Sequence, residues 1–157
     1  MTTLAPENVE DYPRPPALLP VSQTLRIVHG GEVVAETNRG FRVLETYHAP
    51  TYYLPRDDVS ARLTPAHGRS FCEWKGVAAY WDVAAGDITA SRAAWSYPDP
   101  TQPFLPIKGY LAFYATLMEH CFVGDHRVIP QPGDFYGGWV TDNLRGPIKG
   151  APGTEYW

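Results

Sequence analysis

Ser70-Phe71-Cys72-Glu73-Trp74-Lys75-Gly76-Val77-Ala78-Ala79-Tyr80-Trp81 sets a thiol, a carboxylate, an amine and several aromatic rings in one short run. Residues 70–73 and 77–83 are β-rich, and Trp74-Lys75-Gly76 between them has turn chemistry. The run therefore reads as part of an antiparallel sheet. It resists a purely structural account, because three ionisable groups so close together gain nothing from burial unless each finds a partner. It marks a candidate site without naming a reaction.

The same logic extends outward. Residues 88–97 and 108–114 are also β-rich, set apart by Ala84-Ala85-Gly86-Asp87 and by the long connection 98–106. Upstream, Leu25, Ile27 and His29 alternate with Arg26 and Val28. Gly30-Gly31 then supplies a two-residue turn, and Val33, Val34 and Ala35 return. A further strand is expected at 41–46, and a last hairpin at 121–129 turning at Gly124-Asp125. Pro55-Arg56-Asp57-Asp58 reads as a helix start, since proline presets φ and an acidic pair suits the positive end of the dipole; about two turns fit before Pro65. Residues 1–22, with Pro13, Pro15, Pro16 and Pro20, read as an extended N-terminal arm. Residues 23–157 read as a single β domain. Within it, residues 129–157 are rich in Pro and Gly yet carry Phe135, Tyr136, Trp139, Ile148, Tyr156 and Trp157, so this irregular segment is expected to wrap the domain and bury those side chains.

A chain of 157 residues suits one domain with a real core. Aromatic residues make up 13 %, above the usual level, while Pro 16 and Gly 14 argue for short strands and loops over long helices. A formal net charge of -4 leaves no basic footprint for nucleic acid and no polybasic anchor for a membrane surface. No apolar run approaches the roughly 18 residues of a membrane span. The polar, proline-rich residues 1–20 do not read as a signal peptide, so a cytoplasmic location is expected. Cys72 and Cys121 then read as two free thiols, and the absence of any Cys-x-x-Cys argues against a thiolate zinc site. No cofactor is expected; the dinucleotide-binding, phosphate-loop and nucleophile-elbow motifs are all missing.

Cys72-Glu73-Trp74-Lys75-Gly76-Val77-Ala78-Ala79-Tyr80 resembles the signature of a bacterial and fungal family catalogued as domain of unknown function 427. Three other stretches resemble it as well, in order and at the family's spacing, across residues 24–128. They are Glu45-Thr46 through Pro50, Tyr53 and Pro55; Ala94-Trp95-Ser96-Tyr97-Pro98; and Ile107-Lys108-Gly109-Tyr110-Leu111-Ala112-Phe113-Tyr114. The resemblance implies a mainly β fold of the β-tent (Mss4-like) kind, in which two small antiparallel sheets meet at an angle and clasp a ligand, with one or two short helices. Methionine sulfoxide reductase B, the Yippee proteins and the thalidomide-binding domain of cereblon have similar folds. Many of these hold zinc with four cysteines; this chain lacks them, so the metal does not carry over. No activity carries over either. A nucleotidyltransferase label has been attached to the family, but the Gly-Ser and spaced acidic pair of that chemistry are absent here.

Several side chains are candidates on chemical grounds. Cys72 is a thiol near Lys75, the setting of a nucleophile, although buried strand cysteines are commonly inert. Glu73 and Lys75, two apart, can form an ion pair or, in a cleft, an acid/base or anion-anchoring pair. Glu45 and His48, three apart, are spaced to meet a divalent metal or to work as acid and base, with Asp57 and Asp58 as further members of the cluster or simply helix-start residues. Tyr53, Trp74, Tyr80, Trp81, Trp95 and Tyr97, with Lys75 and His48, are expected to wall a pocket for a flat or cationic small molecule. The alternatives are a cofactor-independent enzyme, hydrolase- or transferase-like, using Lys75, Glu73 or Cys72, and an interaction domain that forms a homodimer through its C-terminal aromatics.

Overall fold

The computed structural model describes residues 4–133, 136–150 and 153–154. Its strands, in chain order, are β1 (Glu7–Asn8), β2 (Ala17–Pro20), β3 (Leu25–His29), β4 (Glu32–Thr37), β5 (Phe41–Leu44), β6 (Thr51–Tyr53), β7 (Arg62–Cys72), β8 (Gly76–Ala85), β9 (Ile88–Ser96), β10 (Ala112–Phe113), β11 (His120–Val123), β12 (His126–Arg127), β13 (Ile129–Pro130), β14 (Trp139–Val140) and β15 (Leu144–Arg145). The mainly β fold expected from the sequence is the one the chain adopts. Two four-stranded antiparallel sheets dominate, ordered β10-β9-β8-β7 and β12-β11-β3-β4. A three-stranded sheet, β2-β5-β6, and the pairs β13-β14 and β1-β15 complete the set, and none closes into a barrel. Helical structure among the described residues is confined to short 3₁₀ segments at Val9–Asp11, Arg56–Asp58, Gln102–Ile107 and Ala115–Leu117. Among those residues no helix is long and apolar enough to cross a membrane.

Side-chain alternation explains where the core divides. On β3, Leu25, Ile27 and His29 are buried while Arg26 is exposed. The Gly30-Gly31 turn closes on the pair His29↔Glu32 as its sequence predicts. Leu25, Ile27, Val34 and Ala35 meet Val83, Ala85 and Ala93 from β8 and β9, and Trp139 enters the same cluster from the C-terminal segment. The opposite face of β8 and β9 presents Ala78, Tyr80 and Trp95, which pack with Val43 and Tyr53 of β5 and β6. One hairpin thus separates two cores, and its second face supplies the floor of the candidate site.

Residues 7–20 and 144–145 are fastened to this frame. Strand β2 pairs antiparallel with β5, and β1 pairs in parallel with β15. Arg42 holds Glu7 with two hydrogen bonds of 2.8 and 2.7 Å, and the Tyr12 hydroxyl donates to the same carboxylate at 2.6 Å. The guanidinium beside Glu7 keeps its carboxyl below the usual range despite partial burial.

Two elements differ from the sequence reading. The two-turn helix expected after Pro55 is a single 3₁₀ turn, because Val59 bridges to Ala35 and the N–H groups of Ser60 and Ala61 donate to Val34 O. The strand expected at 108–114 shrinks to Ala112–Phe113, because Lys108 and Tyr110 instead close turns back onto Leu105 O and Ile107 O. Pro65, expected to end a helix, sits inside β7. This is tolerated because β7 is the edge of its sheet, and the register shifts between Pro65 and Arg69. Of the C-terminal aromatics, Phe135, Tyr156 and Trp157 lie outside the described residues.

Candidate functional site

The turn Glu73-Trp74-Lys75 caps the β7–β8 hairpin, where Cys72 faces Gly76 across the ladder. Gly76 has φ of +110°, a conformation that side chains other than glycine's adopt only under strain. Thr101 then clamps the turn: its hydroxyl donates to Trp74 O and its N–H donates to Lys75 O at 3.1 Å. Lys75 is thereby turned inward and half-buried while Glu73 stays exposed. The ion pair between them that two-residue spacing allows on a strand does not form, since both sit on the turn and not on the ladder. Lys75 Nζ instead donates to Cys72 Sγ at 3.2 Å and lies over the rings of Tyr97 (5.6 Å) and Phe104 (5.9 Å).

This turn forms one lip of a cavity of about 550 Å³. Tyr80 and Trp95, a cross-strand pair on β8 and β9, form part of the floor with Tyr97, and Tyr53 reaches it from β6. Trp74 and Cys72 line it from the hairpin; Glu45 and His48 line it from the turn after β5. Of the side chains expected to wall the pocket, Trp81 lies elsewhere. It neighbours Tyr80 on a strand and so faces the other way, packing on the first core, with its indole N–H on Ser96 Oγ at 3.0 Å and Arg56 over its ring. The acidic cluster also separates. Asp58 is engaged by the Thr37 hydroxyl and Arg39, and Asp57 is exposed, so neither lines the cavity. Among the described residues no three His, Cys, Asp or Glu side chains are grouped to hold a metal ion.

Further polar and aromatic lining comes from residues not assigned to the site from sequence: Tyr114, Gln131, Tyr136 and Lys149. Tyr114 meets Trp95 with ring centroids 4.5 Å apart. Gln131 is buried and ties the C-terminal segment to the 45–49 turn. Its Oε1 accepts from Ala49 N–H at 3.1 Å, and its Nε2 donates to Lys149 O at 2.9 Å. Those backbone partners fix the amide's orientation, so the contact of 3.2 Å from Nε2 to His48 Nδ1 is a donation to that nitrogen. His48 therefore carries its proton on Nε2, which faces Glu45 Oε2 at 3.7 Å. Burial, aided by Lys149, Arg14 and Lys75, holds the imidazole's pKa below its ordinary value against the pull of Glu45. The ring is thus a neutral donor, poorly suited to accept a proton at Nε2.

Burial also raises the phenols. Tyr53 and Tyr97 are pushed well above the ordinary range, and Tyr114 is pushed up to about 12. These rings offer neutral hydroxyls and apolar faces, and none is a base near neutral pH. Both cysteines are free thiols; Cys72 is half-buried beside Lys75, whereas Cys121 lies in the first core, where burial pushes it up to about 12.

A family model described as domain of unknown function (DUF427) matches residues 17–124, more than half of the chain, so the protein belongs to that family. No curated protein matches the chain. The matched region contains the hairpin turn, Glu45, His48 and the aromatic floor, whereas Gln131, Tyr136 and Lys149 lie beyond it.

Proposed function

We propose that this member of the DUF427 family binds a flat organic small molecule in the cavity beneath the Glu73-Trp74-Lys75 turn. One observation carries the reading: a half-buried ammonium, Lys75, is held over aromatic faces in a cavity, and among the described residues no carboxylate lies within 4.0 Å of it. A lysine in that position is partly desolvated without an ion partner, an arrangement that favours an arriving polar group. The size agrees with this reading, since about 550 Å³ falls within the ordinary range for small-molecule sites. Tyr80, Trp95 and Tyr97 offer faces on which a planar ligand stacks, and the His48 Nε2–H and the tyrosine hydroxyls offer directional contacts. Binding is favoured over acid/base catalysis because the imidazole and phenols are neutral donors at working pH.

The test is a screen of planar compounds against the intact protein, read by tryptophan fluorescence and repeated on Trp95→Ala. Hits whose signal and affinity fall on Trp95→Ala are expected. Silence across a broad set, or hits indifferent to Trp95→Ala and to Trp74→Ala, contradicts the reading.

A further inference from the structure

We infer that the cavity selects an anionic ligand, a planar aromatic carboxylate whose charge is met by Lys75. The inference rests on the reading of the cavity as a binding site and narrows it to one class of compound.

The charges around the cavity decide the sign. Among the described residues two carboxylates line it. Glu45 receives a hydrogen bond from Arg14 Nε at 3.2 Å and faces the Nε2–H of His48, so its charge is already answered. Glu73 is exposed on the rim, where water screens it. Among those residues two ammonium groups line the cavity as well, and Lys149 has further partners of its own. Lys149 sits with its Nζ 5.7 Å from the Tyr136 ring centroid. Lys75 has a thiol and two ring faces as its neighbours.

A cationic ligand is disfavoured on the same grounds. The ring faces of Tyr97 and Phe104 already carry the protein's own ammonium, and a second cation there would meet like charge. A single ammonium over a stacking floor suits a monoanion. A phosphate monoester needs more donors than Lys75 offers, and among the described residues neither an arginine nor a helix N-terminus lines this cavity.

A matched set of probes separates these charges on one ring: 2-naphthoate, 2-naphthamide, 2-naphthylmethylammonium and 2-naphthyl phosphate. Each is titrated calorimetrically into the wild-type protein and into Lys75→Met, with circular dichroism and thermal melting to confirm that the variant folds. The naphthoate is expected to bind about tenfold or more tighter than the amide, the scale of one charge-assisted hydrogen bond. Lys75→Met is expected to erase that advantage, bringing naphthoate to the affinity of the amide or below it. Equal affinity for naphthoate and amide, preference for the ammonium or the phosphate, or an advantage that survives Lys75→Met each overturns the inference and leaves the broader binding reading standing. Silence from all four probes also overturns it, and the uncharged hits of the planar-compound screen then decide whether the binding reading survives. Should Lys75→Met fail to fold, Lys75→Arg stands in: it keeps the charge, so retained preference for naphthoate supports the inference and a lost preference overturns it.

Discussion

Cys72 and Cys121 show how placement decides chemistry for one residue type. Cys121 packs in the first core at 2 % exposure, and burial pushes its thiol up to about 12. Cys72 is half-buried at the cavity wall, with the Lys75 ammonium 3.2 Å from its sulfur. Thiols beside cations and within reach of solvent are the ones that react. Of the two thiols, Cys72 is therefore expected to react with an aromatic disulfide such as DTNB in the native state, and Cys121 only in denaturant. Cys72→Ser should abolish the native reaction and Cys121→Ser should leave it intact. Native labelling that survives Cys72→Ser contradicts this placement. Both cysteines were legible from sequence as free thiols. The sequence left Cys72 open between a reactive thiol and an inert strand cysteine, and only the fold puts it at the cavity wall.

At the scale of elements, what the sequence made readable follows short-range chemistry. Gly30-Gly31, Trp74-Lys75-Gly76 and Gly124-Asp125 lie at the hairpin turns the structure contains, because a tight turn is decided by the few residues within it. The facing of Trp81 was missed for a reason that alternation itself supplies: Tyr80 and Trp81 are adjacent on β8 and cannot share one wall. The overextended helix after Pro55 was missed because the competing partner, the edge of β4, is distant in sequence. Gln131 and Lys149 were missed because nothing local in a Pro- and Gly-rich segment shows that it folds back over the 45–49 turn; only the hydrogen bonds to Ala49 N–H, Tyr47 O and Pro50 O reveal it. That return depends on close approach. A Cβ at Gly137 would overlap the Trp95 ring. Gly137→Ala is expected to cost about 1–3 kcal/mol, the scale of overpacking in a filled site, and to weaken binding of planar compounds in parallel. Thermal melting together with the screen's best hit checks this, and an unchanged melting temperature contradicts the packing described.

For the whole molecule, the two faces of the β8–β9 hairpin divide the labour. One face, with Val83, Ala85 and Ala93, joins the core that also holds Trp139, itself fully buried, stacked on Tyr52 and donating its indole N–H to Phe113 O at 3.0 Å. The other face carries Tyr80 and Trp95 toward the cavity and toward Lys75. The four described tryptophans thus fall into two classes that a single spectrum resolves, since each indole N–H gives its own NMR resonance. Titrating 2-naphthoate into nitrogen-15-labelled protein is predicted to shift the Trp74 and Trp95 indole signals, while those of Trp81, bonded to Ser96, and Trp139 hold still. Movement of Trp81 or Trp139 with Trp74 and Trp95 unmoved would contradict the account.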